Sequence, residues 1–206
     1  MPLEIIYQDE YLVAINKPGG LLSVPGLGAE NQDSVVTRML EINPEAKVVH
    51  RLDCLTSGIM LLALGIKMQR ELSRQFHDRK ISKQYVAVVR GAFDQQQGVI
   101  EIPMRGDPDD RPRQIVDFDQ GKASTTEWNV IGNEDGRTRL SLKPVTGRTH
   151  QLRIHCHAIG HIIVGDTLYG DDREAQENRM LLHAERISLF HPATGEAMTL
   201  TAPCDF

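Results

Sequence analysis

Apolar positions along the chain change their period, and each change marks a new element. Ile5-Ile6-Tyr7 and Tyr11-Leu12-Val13-Ala14-Ile15 flank a polar Gln8-Asp9-Glu10 stretch, which predicts two short strands around a turn. Residues 17–28 are rich in Gly and Pro and predict a loop. The continuous run Ile59-Met60-Leu61-Leu62-Ala63-Leu64 reads as a buried strand. Met68, Leu72 and Phe76 then recur every four residues, which predicts a helix over 66–78. Tyr85, Ala87 and Val89 alternate with Val86 and Val88, as in a strand. Further strands are expected at 99–104, 124–131, 138–143, 186–190 and 197–201, with a polar loop over 105–113. Thr149 is expected to cap a helix whose apolar face carries Leu152, Cys156 and Ile159. Helical spacing would put Thr149, Arg153 and His157 on another face.

Strands outnumber helices and many links are short, so the expected class is α+β with a mixed, largely antiparallel sheet. A chain of 206 residues fits one domain with a real core, and neither an internal repeat nor a low-complexity tract interrupts it. Hydrophobic content of 40% with 25% charged residues is ordinary for a soluble globular protein. The sequence predicts no leader and no membrane span. Cys54, Cys156 and Cys204 are odd in number and lack metal-like spacing, which favours free thiols in a reducing cytoplasm.

A net charge of −5 argues mildly against a nucleic-acid partner, but its distribution argues the other way. Residues 67–90 carry seven Lys or Arg against two acids, Glu71 and Asp78. Residues 136–165 carry five and no acid. Segregated basic segments on an acidic chain suit RNA binding, although a solvated helix face explains the first equally well.

Candidate chemistry concentrates in His50-Arg51-Leu52-Asp53, followed by Thr56-Ser57-Gly58. A carboxylate at the mouth of a buried strand is costly unless it is paired or used. By contrast, His150, His155, His157 and His161 with Cys156 suggest zinc only by composition. Helical spacing scatters them, and neither a His-Glu-x-x-His pattern nor a paired-cysteine motif is present, so no metal is expected. Gly19-Gly20 lacks the spacing of a phosphate-binding loop.

The His50–Asp53 tetrad resembles the catalytic signature of the pseudouridine synthases, in the branch that modifies ribosomal and transfer RNA. Further segments agree, in the family's order. Asn16-Lys17-Pro18-Gly19-Gly20-Leu21 is similar to its first motif, and Lys83-Gln84-Tyr85-Val86-Ala87 to the segment with the active-site tyrosine. Thr146-Gly147-Arg148-Thr149-His150-Gln151-Leu152-Arg153-Ile154-His155 resembles the third motif. Gly160-His161-Ile162-Ile163-Val164-Gly165-Asp166 and Leu181-Leu182-His183-Ala184 fit the remaining pattern.

The resemblance implies one catalytic domain over residues 1–206, with flanking helices and a central active-site cleft, and without the small N-terminal RNA-binding domain that the family often carries. It implies Asp53 as nucleophile or electrostatic stabiliser, and Tyr85 as a ring that stacks on uracil and serves proton transfer at C5. A buried Asp53 would be neutralised without a nearby cation, and the resemblance assigns that pairing to Arg153 rather than Arg51. Without the motif, Arg153 would be read as an exposed helix arginine and Tyr85 as a core tyrosine. Arg51 is placed to clamp phosphate or fill the gap left by an extruded base. His50, Leu152, Arg148 and His150 are expected to face the substrate or line the pocket. Implied partners are stem-loops of 23S rRNA and of tRNA, the latter at position 32 of the anticodon loop. No cofactor is implied, and the expected form is a cytoplasmic monomer.

Three other readings compete. A tRNA-only synthase of the same family would keep every motif. A non-catalytic RNA-binding module would have lost Asp53, Tyr85 or Arg153, and all three are present. A hydrolase with an Asp nucleophile would want a second carboxylate or a base beside Asp53, and none is evident in the sequence.

Overall fold

The computed structural model describes residues 2–206. In chain order its first strands and helices are β1 (Glu4–Gln8), β2 (Leu12–Lys17), α1 (Val35–Ile42), β3 (Ala46–Val48), β4 (Ser57–Leu64), α2 (Ile66–His77) and β5 (Ser82–Arg90). There follow β6 (Gln97–Glu101), β7 (Met104–Gly106), β8 (Gln114–Val116), β9 (Thr125–Glu134), β10 (Arg137–Pro144), α3 (Gln151–Ala158), β11 (Leu182–Phe190) and β12 (Ala197–Thr201). Two compact units result: the residues up to Lys83 together with 183–205, and residues 84–182 with Phe206. Both are α+β, with mostly antiparallel strands.

In the first unit β4 is the axis. β2 pairs with it antiparallel along nearly its whole length. Its other neighbours are short: β3 antiparallel at Leu62–Leu64, and β11 parallel through His183↔Ser57 and Ala184↔Gly58. All eight residues of β4 are buried, so the unbroken apolar run reflects a strand covered on both faces. Gly58, at φ 107°, is required here, because a Cβ would stand 2.3 Å from the Ala184 carbonyl oxygen. Met68, Leu72 and Phe76 of α2 pack on Leu12, Ala14, Ile59, Leu61 and Ala63, as their four-residue spacing predicts. α1 has no counterpart in the sequence reading; Ser34 caps it by accepting the Thr37 N–H.

The second unit orders its strands β5-β10-β9-β6, all antiparallel, with β7 and β8 forming a separate hairpin. The strand expected over 99–104 is broken in two. Pro103 lacks an N–H for the ladder, and the carbonyl of Ile102 turns instead to the Ser124 hydroxyl at 2.6 Å.

The helix expected after Thr149 forms, but with two corrections. Its N-cap is His150 in the left-handed conformation (φ 54°), with no side-chain cap bond, so Thr149 does not cap it. The local turn is closed by Gln151, whose side-chain oxygen accepts the Arg148 N–H. Nor does α3 divide into an apolar and a polar face, since residues 151–156 are buried consecutively, Arg153 and His155 among them. No helix among the described residues is long and apolar enough to cross a membrane.

Candidate active site

Asp53 sits in the turn that leads into β4, in the first unit, and the residues on both sides of it are strapped to the loop after β2. Before it, the buried Ser23 hydroxyl accepts the Leu52 N–H at 3.0 Å and donates to the Leu52 carbonyl at 2.6 Å. After it, the Cys54 carbonyl accepts the Lys17 ammonium and the Gly20 N–H, each at 2.9 Å. Asp53 closes the turn itself, its carbonyl accepting the Thr56 N–H. None of these bonds uses the Asp53 carboxylate. The backbone on both sides of the Asp53 side chain is therefore fixed by bonds of its own, a form of preorganisation.

Lys17 is wholly inaccessible, and its three ammonium hydrogens meet three carbonyls, those of Pro18, Leu21 and Cys54. Burial draws its pKa down to about 8, while Cys54 and Asp53 pull it back up. In the sequence Lys17 stood out only as a letter inside a motif, and Ser23 only as one residue of the Gly/Pro-rich loop. What marks them is burial, which no periodicity predicts for a lysine in a Gly/Pro loop.

His50 has a structural post. Its Nε2 accepts the N–H of Leu61 at 2.9 Å, doing for β4 what a neighbouring strand's carbonyl would do. Its ring packs on Phe76 at 4.8 Å. Burial, and secondarily Lys83, push its pKa down to about 3, so at neutral pH the ring is uncharged and able to accept. Arg51, next in sequence, is exposed.

In the second unit Tyr85 lies on β5, buried and opposite Leu142. Arg153 and Leu152 are buried at the start of α3, His150 is half-buried and Arg148 is exposed. Arg153 is thus not the exposed helix arginine that spacing alone allows. Its Nε and Nη2 donate to the two carboxylate oxygens of Asp166, each at 2.7 Å, with both side chains under 5% accessible. Asp166 also accepts the backbone N–H groups of Leu168 and Tyr169. A guanidinium has five N–H donors, so this edge does not exhaust it. Asp166 is thus a buried partner of Arg153 that the sequence reading, which expected Asp53 in that place, did not name. Asp166 was visible only as the last letter of a motif.

The histidine cluster is dispersed among separate partners. His155 is buried between the Ser124 and Thr126 hydroxyls, and His161 stacks on Phe93 at 3.8 Å and contacts the Arg90 carbonyl. His150 reaches the Tyr169 hydroxyl. Burial pushes the Cys156 thiol up to about 12, which makes it an inert apolar group. No group of His, Cys, Asp and Glu among the described residues has the geometry to hold a metal ion.

The sequence profile of RNA pseudouridylate synthase matches residues 11–158. The chain belongs to the RNA pseudouridine synthase family. It is 47% identical over 206 residues to the dual-specificity RNA pseudouridine synthase RluA of Escherichia coli strain K12, covering 99% of this chain and 94% of that one. The RluA of Yersinia pestis is 44% identical over 204 residues, covering 98% and 99% of the two chains. Among solved structures, human RNA pseudouridylate synthase domain containing 1 superposes with a TM-score of 0.83 at 30% identity, covering 98% of this chain and 83% of that one.

As a pseudouridine synthase the enzyme breaks the bond between uracil N1 and ribose C1′ and joins C5 to C1′, an isomerisation that consumes no water and transfers no net electrons. Such a reaction needs fixed charge near the sugar and a path for the C5 proton. In the first unit the backbone around Asp53 is fixed by Ser23, Lys17 and Gly20. In the second, Arg153 is held in a buried ion pair with Asp166. The exposed cations Lys67, Arg70, Arg79 and Lys80, on α2 and the turn after it, add a basic surface suited to a phosphate backbone.

Proposed function

We propose that Asp53 is the catalytic carboxylate, that Arg153 maintains its charge, and that Tyr85 stacks on the uracil and serves the C5 proton. Arg51, exposed and two residues from Asp53, acts in capture and extrusion of the target uridine, at a cost of a few kcal/mol to unstack the base. Leu152 lines the pocket, and Arg148 and His150 complete the RNA-facing surface. His50 contributes by holding the start of this segment against β4. The two units work as one catalytic domain, and the enzyme acts as a cytoplasmic monomer, in keeping with its three free thiols.

The substrates are stem-loops of 23S rRNA and the anticodon stem-loop of tRNA, the latter at position 32. The observation that carries this reading is the 47% identity, over nearly the full length of both chains, to a synthase named for dual specificity. A small enzyme can read two different RNAs only where the local loop adopts a similar shape around the target. Incubation of purified protein with each minimal hairpin and each full-length parent, followed by pseudouridine mapping, tests it. Both hairpins should be modified, more slowly as salt rises. Modification of tRNA alone would establish a tRNA-only synthase, and modification of an intact ribosomal particle alone would overturn hairpin recognition.

A further inference from the structure

Tyr169 is a buried residue of the second unit that meets three segments at once. Its backbone N–H donates at 3.2 Å to Asp166 Oδ1, the oxygen that also accepts Arg153 Nη2. Its ring centroid lies 5.0 Å from Cζ of Arg153, and 5.7 Å from Cζ of Arg113 in the segment between β7 and β8. Its hydroxyl accepts the Gln114 N–H at 2.9 Å and stands 2.7 Å from His150 Nδ1. Among the described residues His150 is one of three non-glycine residues with positive φ, a conformation that persists only where surrounding contacts enforce it.

Asp166 grips Arg153 along one edge, through Nε and Nη2, and both bonds lie near the plane of the guanidinium. Two in-plane bonds fix where that edge sits but resist tilting of the plane poorly. The face of the Tyr169 ring, with Arg153 Cζ over it at 5.0 Å, is a third contact on the guanidinium, and buried cation–π pairs are strong because water does not compete. The direction of the guanidinium's remaining donors depends on that tilt.

We propose that Tyr169 is a positioning residue for Arg153: its aromatic face, together with Asp166, sets the plane of the guanidinium and so the aim of the donors that serve the chemistry. This rests on the reading of Arg153 as a participant in catalysis. The hydroxyl has a different task, tying the β7–β8 hairpin to the left-handed turn at His150. Ring and hydroxyl are therefore separable by substitution.

The test compares Tyr169→Phe with the same position carrying pentafluorophenylalanine, in the full chain, by single-turnover rate at saturating RNA and by RNA affinity. The two rings share a planar outline and both lack the hydroxyl, the fluorinated one being slightly bulkier, but fluorination reverses the negative ring face that attracts a cation. With the Phe variant the rate should stay within about threefold of the native enzyme, and with the fluorinated ring it should fall a further ~10-fold at unchanged affinity. Equal rates for the two rings would overturn the proposal, as would a loss confined to RNA affinity. The cycle is completed with Arg153→Lys, whose ammonium has no plane to orient. In that background the fluorinated ring should cost less than about twofold, and an undiminished loss would show that Tyr169 acts through something other than Arg153. If Arg153→Lys alone is as fast as the native enzyme, the catalytic reading of Arg153 fails, and that result is separate from any effect of the ring.

Discussion

Asp53 and Arg153 are held in opposite ways. Around Asp53 the protein grips the backbone of the flanking residues, through Ser23 on one side and Lys17 and Gly20 on the other. At Arg153 it grips the end of the side chain itself, through the two oxygens of Asp166. A short aspartate has few rotamers, so fixing its main chain fixes most of its position. A long arginine has many and must be anchored near its end. The anchor has a requirement of its own: a buried pair is stable only while both partners are present.

The largest effect is therefore expected from Asp166→Asn. It leaves the Arg153 charge buried beside a neutral amide and should cost about 3–5 kcal/mol of folding stability. Chemical denaturation reads the loss, and a variant as stable as the native protein would show that Asp166 is not the anchor. Next comes Lys17→Met, which deprives three carbonyls of their donor but also removes a buried charge. A net loss of about 2 kcal/mol is expected. The single-turnover rate should fall while RNA affinity holds, because the strap lies behind Asp53 and not on the exposed surface. Equal losses of rate and affinity would contradict that placement. Ser23→Ala removes one hydroxyl from the opposite strap and should cost about 1 kcal/mol with a smaller fall in rate.

The smallest effect at neutral pH concerns His50. Its folded-state pKa of about 3 lies below the ordinary 6.5, so between these values the unfolded chain binds the extra proton. Stability from this group is complete above pH 6.5 and is lost as pH falls toward 3. His50→Gln offers a side-chain oxygen to the Leu61 N–H without titrating. It should show a flatter loss of stability across that window, and a profile parallel to the native one would remove His50 as the cause.

The comparison also explains what could be read in advance. Elements with an unambiguous period were legible: α2 was expected over 66–78 and spans Ile66–His77, and β12 matches its expected 197–201. The buried strand β4 was evident from six apolar residues in succession. α1 was not, because Val35, Met39 and the half-buried positions between them carry only a short apolar stripe beside a Gly/Pro-rich loop. At α3 the helix rule of polar and apolar faces failed because the helix is enclosed, and its polar residues are buried with dedicated partners. Those partners, Asp166 for Arg153 and Thr126 for His155, are 13 and 29 residues away in sequence. Local periodicity carries no record of such pairs, so Lys17, Ser23, Asp166 and Tyr169 emerge only from the fold.

The central claim is that the backbone straps exist to present the carboxylate of Asp53. Asp53→Asn keeps the size of the side chain and every strap, since none of those bonds uses the carboxylate. Single-turnover pseudouridine formation and RNA affinity should be measured on the same preparation, with unfolding as the control. The account predicts no detectable pseudouridine, with affinity and stability close to the native values. Pseudouridine formed by the Asn variant at a rate near that of the native enzyme would contradict it.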